Sequence, residues 1–249
     1  MQRLADLLPQ PQRQEGAEPE LEEDVCPACA GAGLVRQMVA LGDPGWPMKV
    51  VPCEVCLPRR MAEHRTWRLR CADLPGGSQH PLTFETWRAR KGTAEAFKAA
   101  KVFSEGKAPH PFLTLCGPYG TGKSHLAVAI AYTWIMADRG MAWYYQVERL
   151  LDELRRGYNR EDGASEDTYR LLDTVIGCSL LVLDDLGAQK GTDWATAKLD
   201  EIIDGRYAHG RYTVITTNRA LNEHPPRIAD RLAEGVCVTL AGPSWRRRV

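Results

Sequence analysis

Residues 112–124 read FLTLCGPYGTGKS, and this stretch decides the fold. A short apolar run leads into the pattern G-x-x-x-x-G-K-S, which extends from Gly117 to Ser124, and an apolar helical stretch follows at once. Glycines at these positions let backbone N–H groups converge on phosphate oxygens, and the N-terminus of the following helix adds a favourable dipole. The sequence therefore predicts a strand, a phosphate-binding loop and a helix, in that order.

Beyond the loop, strands and helices alternate. Residues 125–140 indicate an apolar helix, MAWYYQ (141–146) a strand, and SLLVLDD (179–185) a strand buried on both faces. YTVITTN (212–218) indicates a further strand. Such alternation is typical of parallel sheets covered by helices, so we predict a three-layer α/β domain over residues 71–249.

Polar residues at the loop and at two strand ends predict an ATP site. Lys123 is expected to reach the β- and γ-phosphates, and the Ser124 hydroxyl is expected to bind Mg²⁺. The buried strand delivers Asp184 and Asp185 to the edge of the sheet where the loop lies. We expect Asp184 to hold Mg²⁺ and Asp185 to orient or deprotonate the attacking water. Asn218 either positions this water and senses the γ-phosphate, or merely ends its strand. The other positions expected to contact nucleotide are Gly117, Pro118, Tyr119, Gly120, Thr121, Gly122 and His125.

Two cysteine pairs lie N-terminal to the predicted sheet. Cys26-x2-Cys29 and Cys53-x2-Cys56 have the spacing of a four-thiolate zinc site, in which two tight turns complete a tetrahedron. Such a closed site has no open position, so the predicted Zn²⁺ is structural. The alternatives are buried free thiols or a redox pair. The remaining cysteines are expected to lie singly in the hydrophobic core: Cys71, Cys116, Cys178 and Cys237.

Composition excludes some classes of protein. The 32 basic residues balance the 32 acidic ones, so net charge does not indicate a nucleic-acid partner. The chain has no apolar run long enough to span a membrane and no secretory signal, so we expect a cytoplasmic protein with no membrane contact. Residues 1–25 carry seven acidic residues against two arginines, which predicts a flexible acidic tail.

The motifs together resemble those of the AAA+ ATPases of the DnaC/IstB family, which includes bacterial and phage replicative helicase loaders. The resemblance covers residues 82–249. It rests on GPYGTGKSH (117–125), LLVLDDLG (180–187), TVITTN (213–218), PRIADRLAEG (226–235), AGPSWR (241–246) and LTFETW (82–87). It implies a protein that binds the replicative helicase hexamer and single-stranded DNA, assembles as a spiral or ring with ATP, and releases its client on hydrolysis.

The resemblance also implies roles for three arginines. Arg231 matches the arginine that reaches the γ-phosphate of a neighbouring subunit, and Arg227 is the second candidate. Arg246 looks like the arginine that contacts nucleotide within its own chain. For each of them, the alternative is a solvated surface charge. Asp185 stands where many AAA+ proteins carry glutamate, and its shorter side chain leads us to expect slow hydrolysis.

Two further regions are expected to contact the helicase and DNA. Residues 26–70, the cysteine-pair segment with a basic linker helix, are the candidate helicase-binding module, although that helix could instead contact DNA. In this family, helices between the second strand and the acidic strand line the DNA path. The residues expected there are Arg155, Arg156, Tyr158 and Arg160, and the alternative is a solvated charged face.

Two other functions remain open. One is an ATPase helper of a transposase, of the IstB type. The other is a nucleotide-gated DNA-binding scaffold with negligible turnover.

Overall fold

The computed structural model describes residues 26–30, 32–38, 48–76, 82–158, 165–188, 191–242 and 244–245. The predicted tail, residues 1–25, and the site candidates Arg160 and Arg246 lie outside the described residues. The chain divides into two compact units, Met1–Trp67 and Arg68–Val249. None of the helices within the described ranges is long and apolar enough to cross a membrane.

The N-terminal unit contains an antiparallel hairpin and the start of a helix. The hairpin consists of β1 (Leu34–Met38) and β2 (Met48–Pro52), and helix α1 (Leu57–Ala72) follows it. Its buried apolar cluster is small: Cys26, Cys53 and Cys56 are buried, with Cys29 and Val35 packed against them. This unit therefore has almost no hydrocarbon core among its described residues.

The second unit contains a five-stranded parallel sheet with the order β4-β5-β6-β3-β7. Its strands are β3 (Phe112–Cys116), β4 (Ala142–Gln146), β5 (Leu180–Leu186), β6 (Tyr212–Thr217) and β7 (Val236–Thr239). All five residues of β3 are buried, as are the apolar residues of β5. Because both faces of these strands are covered, their sequences are continuously apolar rather than alternating.

Six helices among the described residues complete this unit. They are α2 (Ala94–Ser104), α3 (Lys123–Met136), α4 (Val147–Tyr158), α5 (Glu166–Gly177), α6 (Asp193–Ala208) and α7 (Pro226–Glu234). Helices α2 and α3 pack with Leu113 and Leu115 of β3, while α4 to α7 pack with Phe112. Since successive strand residues point to opposite faces, the helices form two layers. The predicted three-layer α/β architecture is confirmed.

The helix after the loop is shorter than its apolar sequence suggested. The expected span was 125–140, whereas α3 begins at Lys123 and ends at Met136. Asp138 and Gly140 then take positive φ values of 54° and 117°, which turn the chain out of the helix toward β4.

The expectation that Cys116 and Cys237 lie singly in the core is wrong. Their sulfur atoms are 3.5 Å apart, and Cys237 is exposed. The reason is topological: β3 pairs in parallel with the edge strand β7, which places the two side chains next to each other.

Candidate functional site

The strand order brings the predicted site residues to one edge of the sheet. Strand β6 lies between β3, which leads into the phosphate loop, and β5, which carries the two aspartates. Parallel strands present their carboxyl ends at the same edge. Asn218, directly after β6, is therefore between the loop and the acidic strand, although 95 residues separate it from Lys123 in sequence.

The loop backbone depends on its glycines. Gly117, Gly120 and Gly122 have φ values of 141°, 76° and 101°, which disfavour residues with a side chain. A Cβ atom at Gly117 would lie 2.3 Å from the Leu240 carbonyl oxygen, and one at Gly122 would lie 2.6 Å from the Trp87 ring. Close packing against both neighbours therefore requires glycine at these two positions.

Lys123 lies buried at the start of α3, with 6% of its surface exposed. Its ammonium donates hydrogen bonds to the carbonyl oxygens of Gly117 and Pro118, at 2.7 and 2.9 Å. It also donates to Asn218 Oδ1, at 2.5 Å. These acceptors are neutral oxygens, so a phosphate would offer the ammonium a stronger, charge-assisted partner.

Asp184 is buried and fixed by two donors. The hydroxyl of Tyr144 donates to Oδ2 at 2.6 Å, and the hydroxyl of Thr216 donates to Oδ1 at 2.6 Å. Burial and the neighbouring Asp184 carboxylate raise the pKa of Tyr144 well above its ordinary value, so this phenol remains a donor. Carboxylates that bind metal ions are usually oriented by hydrogen bonds in this way.

Asp185 has other side-chain partners than Asp184, because β5 is irregular at this position. The pairing of β5 with β6 shifts register between Leu183 and Leu186, and Asp185 has a φ of 61°. The amide of Asn218 donates to Asp185 Oδ1 at 2.6 Å. Asn218 thus contacts Lys123 through its oxygen and Asp185 through its nitrogen, which places all three side chains in one network.

A cavity of about 610 Å³ opens at this edge of the sheet. Its volume is in the range of small-molecule sites, about 300–1,000 Å³. Tyr119, exposed Ser124 and the network of Lys123, Asp185 and Asn218 line one part of it.

The other part of the cavity includes side chains to which the sequence assigned no role. Trp87, Arg88 and Trp245 line it, and the Trp245 backbone N–H donates to the Gly120 carbonyl at 2.8 Å. The Arg90 guanidinium lies 3.6 Å from the centre of the Trp245 ring. The sequence signals for these residues are the segments LTFETW, which contains Trp87, and AGPSWR, which contains Trp245.

His125 also contacts the LTFETW segment. Its Nε2 lies 2.8 Å from the Thr83 carbonyl oxygen, and its ring meets the Trp87 ring edge-on at 5.2 Å. His125 also lines the cavity. Thr121 is buried, and its hydroxyl donates to the Pro118 carbonyl, which stabilises the loop from within.

The two arginine candidates lie away from the residues that line this cavity. Arg227 and Arg231 are both on α7, and both form ion pairs with Asp204 of α6. Arg231 also pairs with Glu234 at 3.2 Å, and its guanidinium lies 4.3 Å from the centre of the Tyr207 ring. The hydrogen bond with Asp204 raises the pKa of Arg231 above its ordinary value.

The candidate DNA-binding residues are only partly described. Arg155 is exposed on α4, donates to the Thr192 hydroxyl at 3.3 Å, and lies 4.9 Å from the centre of the Trp194 ring. Arg156 is exposed on the same helix. The side chain of Tyr158 lies outside the described part of the chain.

In the N-terminal unit, the four predicted metal-binding cysteines come together. Their sulfur atoms lie within 4.8 Å of one another, with Cys26 and Cys53 3.7 Å apart and Cys29 and Cys56 3.6 Å apart. A zinc tetrahedron with Zn–S bonds of about 2.3 Å has sulfur atoms about 3.8 Å apart. The cluster therefore has the donor set and the spacing that Zn²⁺ requires.

The acidity of two of these thiols differs. A hydrogen bond from the Ala28 backbone is the main cause that lowers the pKa of Cys26 to about 7. Burial is the main cause that raises the pKa of Cys56 to about 12. Adjacent thiolates repel one another, and a divalent cation removes this repulsion when all four ionise.

The ATP-site unit matches known proteins. The family of IstB-like ATP binding proteins matches residues 107–235. A putative insertion sequence ATP-binding protein of Sinorhizobium fredii is 31% identical over 171 residues, which cover 65% of this chain and 67% of that protein. The replicative helicase loader DnaC of Escherichia coli is 27% identical over 175 residues, which cover 67% of this chain and 70% of the loader.

Solved structures share the fold. The crystal structure of the DnaC helicase loader has a TM-score of 0.55 and 22% identity, and the match covers 64% of this chain and 96% of that one. Domain III of the Thermotoga maritima replication initiation protein DnaA has a TM-score of 0.59 and 21% identity, and the match covers 66% of this chain and 68% of that one. The residues matched by the family include the loop, both aspartates and α7, but not the cysteine cluster.

Proposed function

The chain belongs to the IstB-like ATP-binding protein family, and from this premise we propose that it is an ATP-dependent loader of a replicative helicase. As a member of the family, it is an AAA+ P-loop ATPase. The observation that carries the proposal is the arrangement of the site. Lys123, Asn218 and Asp185 form one network at the cavity, whereas the arginine candidates pair with Asp204 and do not line the cavity. We propose that a second subunit completes this site.

In the proposed complex, the loop N–H groups and Lys123 bind the ATP phosphates. Lys123 exchanges its neutral acceptors for phosphate oxygens. Ser124 and Asp184 would hold Mg²⁺, which neutralises phosphate charge when it is bound. Tyr144 and Thr216 keep the Asp184 carboxylate in one orientation. Trp87 and Trp245 line the cavity and would contact the adenosine part of the nucleotide.

Asp185 is the proposed general base. One of its oxygens accepts the Asn218 amide, which leaves the carboxylate able to orient the attacking water and to take its proton. Asn218 also contacts Lys123. A change in the phosphates bound by Lys123 is therefore transmitted to Asp185 through the Asn218 side chain. Because aspartate is one methylene shorter than glutamate, we expect the water to be held less closely and turnover to be slow.

We propose that assembly supplies a further cation to the site. Within a single chain, Asp204 binds both arginine candidates, and Arg231 has Glu234 as a further partner. We propose that Arg231, or Arg227 in its place, reaches the γ-phosphate of a neighbouring subunit in a spiral or ring. A cation supplied from another subunit makes hydrolysis depend on assembly. We further propose that the complete assembly on the helicase is hexameric.

We propose that the N-terminal unit binds the helicase. Its four cysteines would bind a structural Zn²⁺ and hold the hairpin in place. One face of this hairpin carries four exposed apolar residues: Leu34, Met38, Met48 and Val50 are each at least half exposed. Met38 pairs across the strands with Met48, and Arg36, on the same face, pairs with Val50. Methionine-rich surfaces of this kind adapt well to protein partners.

Single-stranded DNA is the second proposed ligand. Arg155 and Arg156 are exposed and can contact phosphates, and we retain Tyr158 and Arg160 as their proposed partners. The close contacts of Arg155 with Thr192 and Trp194 make Arg156 the freer of the two described cations. The proposed site of action of the whole assembly is the cytoplasm.

A specific observation favours a second candidate, an ATPase helper of a transposase. The relative with 31% identity is named as an insertion sequence ATP-binding protein. Against this alternative, the cysteine cluster lies outside the residues matched by the family. A transposase helper that resembles this chain only in its ATPase core does not account for the N-terminal unit.

Affinity purification of the full chain from host lysate with ATP, followed by mass spectrometry, distinguishes the two clients. The matched variant is Met38→Glu with Val50→Glu, which changes the hairpin face and leaves every cysteine in place. We expect the replicative helicase to be recovered with the wild type and lost with the variant. Recovery of a transposase without the helicase would overturn the loader proposal.

A further inference from the structure

Cys116 and Cys237 form a second pair of thiols, separate from the four-cysteine cluster. Cys116 is the last residue of β3, and Gly117 of the phosphate loop follows it directly. Cys237 lies in β7, at the edge of the sheet. The sulfur atoms are 3.5 Å apart, which is a thiol–thiol hydrogen bond, and no disulfide joins them.

The two thiols are chemically unequal. Cys237 is exposed, whereas Cys116 is buried with 9% of its surface accessible. A hydrogen bond from Cys116 lowers the pKa of Cys237 to about 7, and the same contact together with burial raises the pKa of Cys116. An accessible, acidic thiol beside a protonated one is the arrangement of an oxidant-sensing cysteine with its resolving partner.

Close backbone contacts connect the pair to the phosphate loop. The Leu240 amide, just beyond β7, donates to the Cys116 carbonyl at 2.8 Å. The Leu240 carbonyl oxygen packs so closely on Gly117 that a Cβ atom there would lie 2.3 Å from it. The Gly117 carbonyl in turn accepts a hydrogen bond from Lys123. A shift at Cys116 is therefore passed to the ammonium expected to bind phosphate.

Formation of a disulfide requires such a shift. The sulfur atoms must approach to about 2.05 Å. In the strand pairing, Cys116 is opposite Thr239 and Cys237 is opposite Thr114, so the cysteines are diagonal rather than directly paired. A bond across a diagonal pulls β7 along β3. Strained disulfides of this kind are readily reduced, which suits a reversible change.

We propose that Cys116 and Cys237 are a peroxide-sensitive site that closes reversibly to a disulfide and thereby weakens nucleotide binding at the adjacent loop. The oxidant is a hydroperoxide. The Cys237 thiolate attacks one peroxide oxygen, the O–O bond breaks, and the leaving oxygen takes a proton, giving a sulfenic acid and water or an alcohol. The Cys116 sulfur then attacks the Cys237 sulfur. The S–S bond forms, the S–O bond breaks, and the departing hydroxide leaves as water with the Cys116 proton. A dithiol reductant reverses the step.

The test uses the full-length, zinc-loaded chain treated with hydrogen peroxide, with catalase added to stop the reaction. Peptide mass spectrometry after thiol alkylation identifies the cross-link, and titration with a fluorescent ATP analogue measures affinity. Zinc release is followed with a chromogenic chelator, which separates this reaction from oxidation of the four-cysteine cluster. Cys237→Ser removes the sensing thiol, and Cys71→Ser is the matched control at a thiol elsewhere in the chain.

In the wild type and in Cys71→Ser, we expect a Cys116–Cys237 peptide and a loss of ATP affinity of about tenfold that dithiothreitol restores. Cys237→Ser is expected to keep its affinity under peroxide. If Cys237→Ser binds ATP poorly even when reduced, Cys237→Ala replaces it. An oxidised wild type without the cross-link would overturn the proposal. So would a cross-link that leaves affinity unchanged, or an equal loss in Cys237→Ser and Cys237→Ala.

Discussion

The two units of the chain bury their chemically active side chains for opposite reasons. In the sheet unit, Asp184 and Asn218 lie at the ends of strands, and Lys123 lies at the start of α3. Lys123 donates to Asn218, while Tyr144 and Thr216 donate to Asp184. In the N-terminal unit, the buried cluster consists of the cysteines themselves. The first site is formed beside a hydrophobic core, whereas the described residues of the second unit have no buried cluster other than the one that contains the cysteines. Small units of this kind usually need a metal or disulfides to fold.

The largest expected effect is that of metal removal. Chelation, or Cys53→Ser, should unfold the N-terminal unit, because structural zinc supplies on the order of 10 kcal/mol of folding free energy in such small units. ATP binding by the sheet unit should persist. Limited proteolysis, with bound zinc measured alongside, checks both results, and Cys71→Ser is the control. Protection of residues 48–67 after complete loss of metal would remove the contrast between the units.

The second prediction concerns the arginines that share Asp204. Arg231→Ala should reduce the hydrolysis rate of the assembled protein about 1,000-fold, as removal of a cation supplied by a neighbour does. ATP affinity of the isolated chain should not change. Arg227→Ala is the matched comparison, and the variant with the larger loss identifies the arginine that acts.

Mixing experiments test whether this arginine acts between subunits. Arg231→Ala chains keep the proposed base, whereas Asp185→Asn chains keep both arginines. Combined, the two inactive variants should regain part of the activity, because some interfaces then hold one intact copy of each part. Two variants that stay inactive together would place Arg231 and Asp185 in the same site of the same chain.

The third prediction concerns Asp185. Asp185→Asn should retain ATP and lower hydrolysis about 100-fold, the usual contribution of a general base. Asp185→Glu is the informative companion, since we expect the longer side chain to raise the rate. Single-turnover phosphate release measures both. A rate for Asp185→Asn close to that of the wild type would exclude this residue as the base.

The smallest expected effect is at the donors that orient Asp184. Tyr144→Phe removes one donor to the carboxylate and keeps the ring, so Mg²⁺ affinity should fall about tenfold. The Mg²⁺ concentration that gives half-maximal ATPase activity measures the change. Tyr145→Phe, at a neighbouring position of β4, is the control. If both variants require the same Mg²⁺ as the wild type, the hydrogen bond from Tyr144 does not support the metal.

The elements that the sequence predicted well are those with local signals. The run before Gly117 and the run before Asp184 are continuous apolar segments, and their strands were confirmed within one residue. The two cysteine pairs were likewise readable from spacing, and their sulfur atoms do converge.

The remaining contacts depend on strand order and packing, which no local pattern encodes. Asn218 contacts both Lys123 and Asp185 only because β6 lies between β3 and β5. Asp204 binds both arginine candidates through the packing of α6 against α7. The contact of Cys116 with Cys237 likewise required the parallel pairing of β3 with the edge strand.

Helicase loading onto closed circular single-stranded DNA tests the proposed function most directly, because a ring-shaped helicase cannot thread onto a circle unaided. The purified replicative helicase of the host is mixed with the circle, ATP and the full chain, and DNA-bound helicase is counted. We expect loading with the wild type and none with the Met38→Glu, Val50→Glu variant. Equal amounts of bound helicase with and without the chain would contradict the loader proposal.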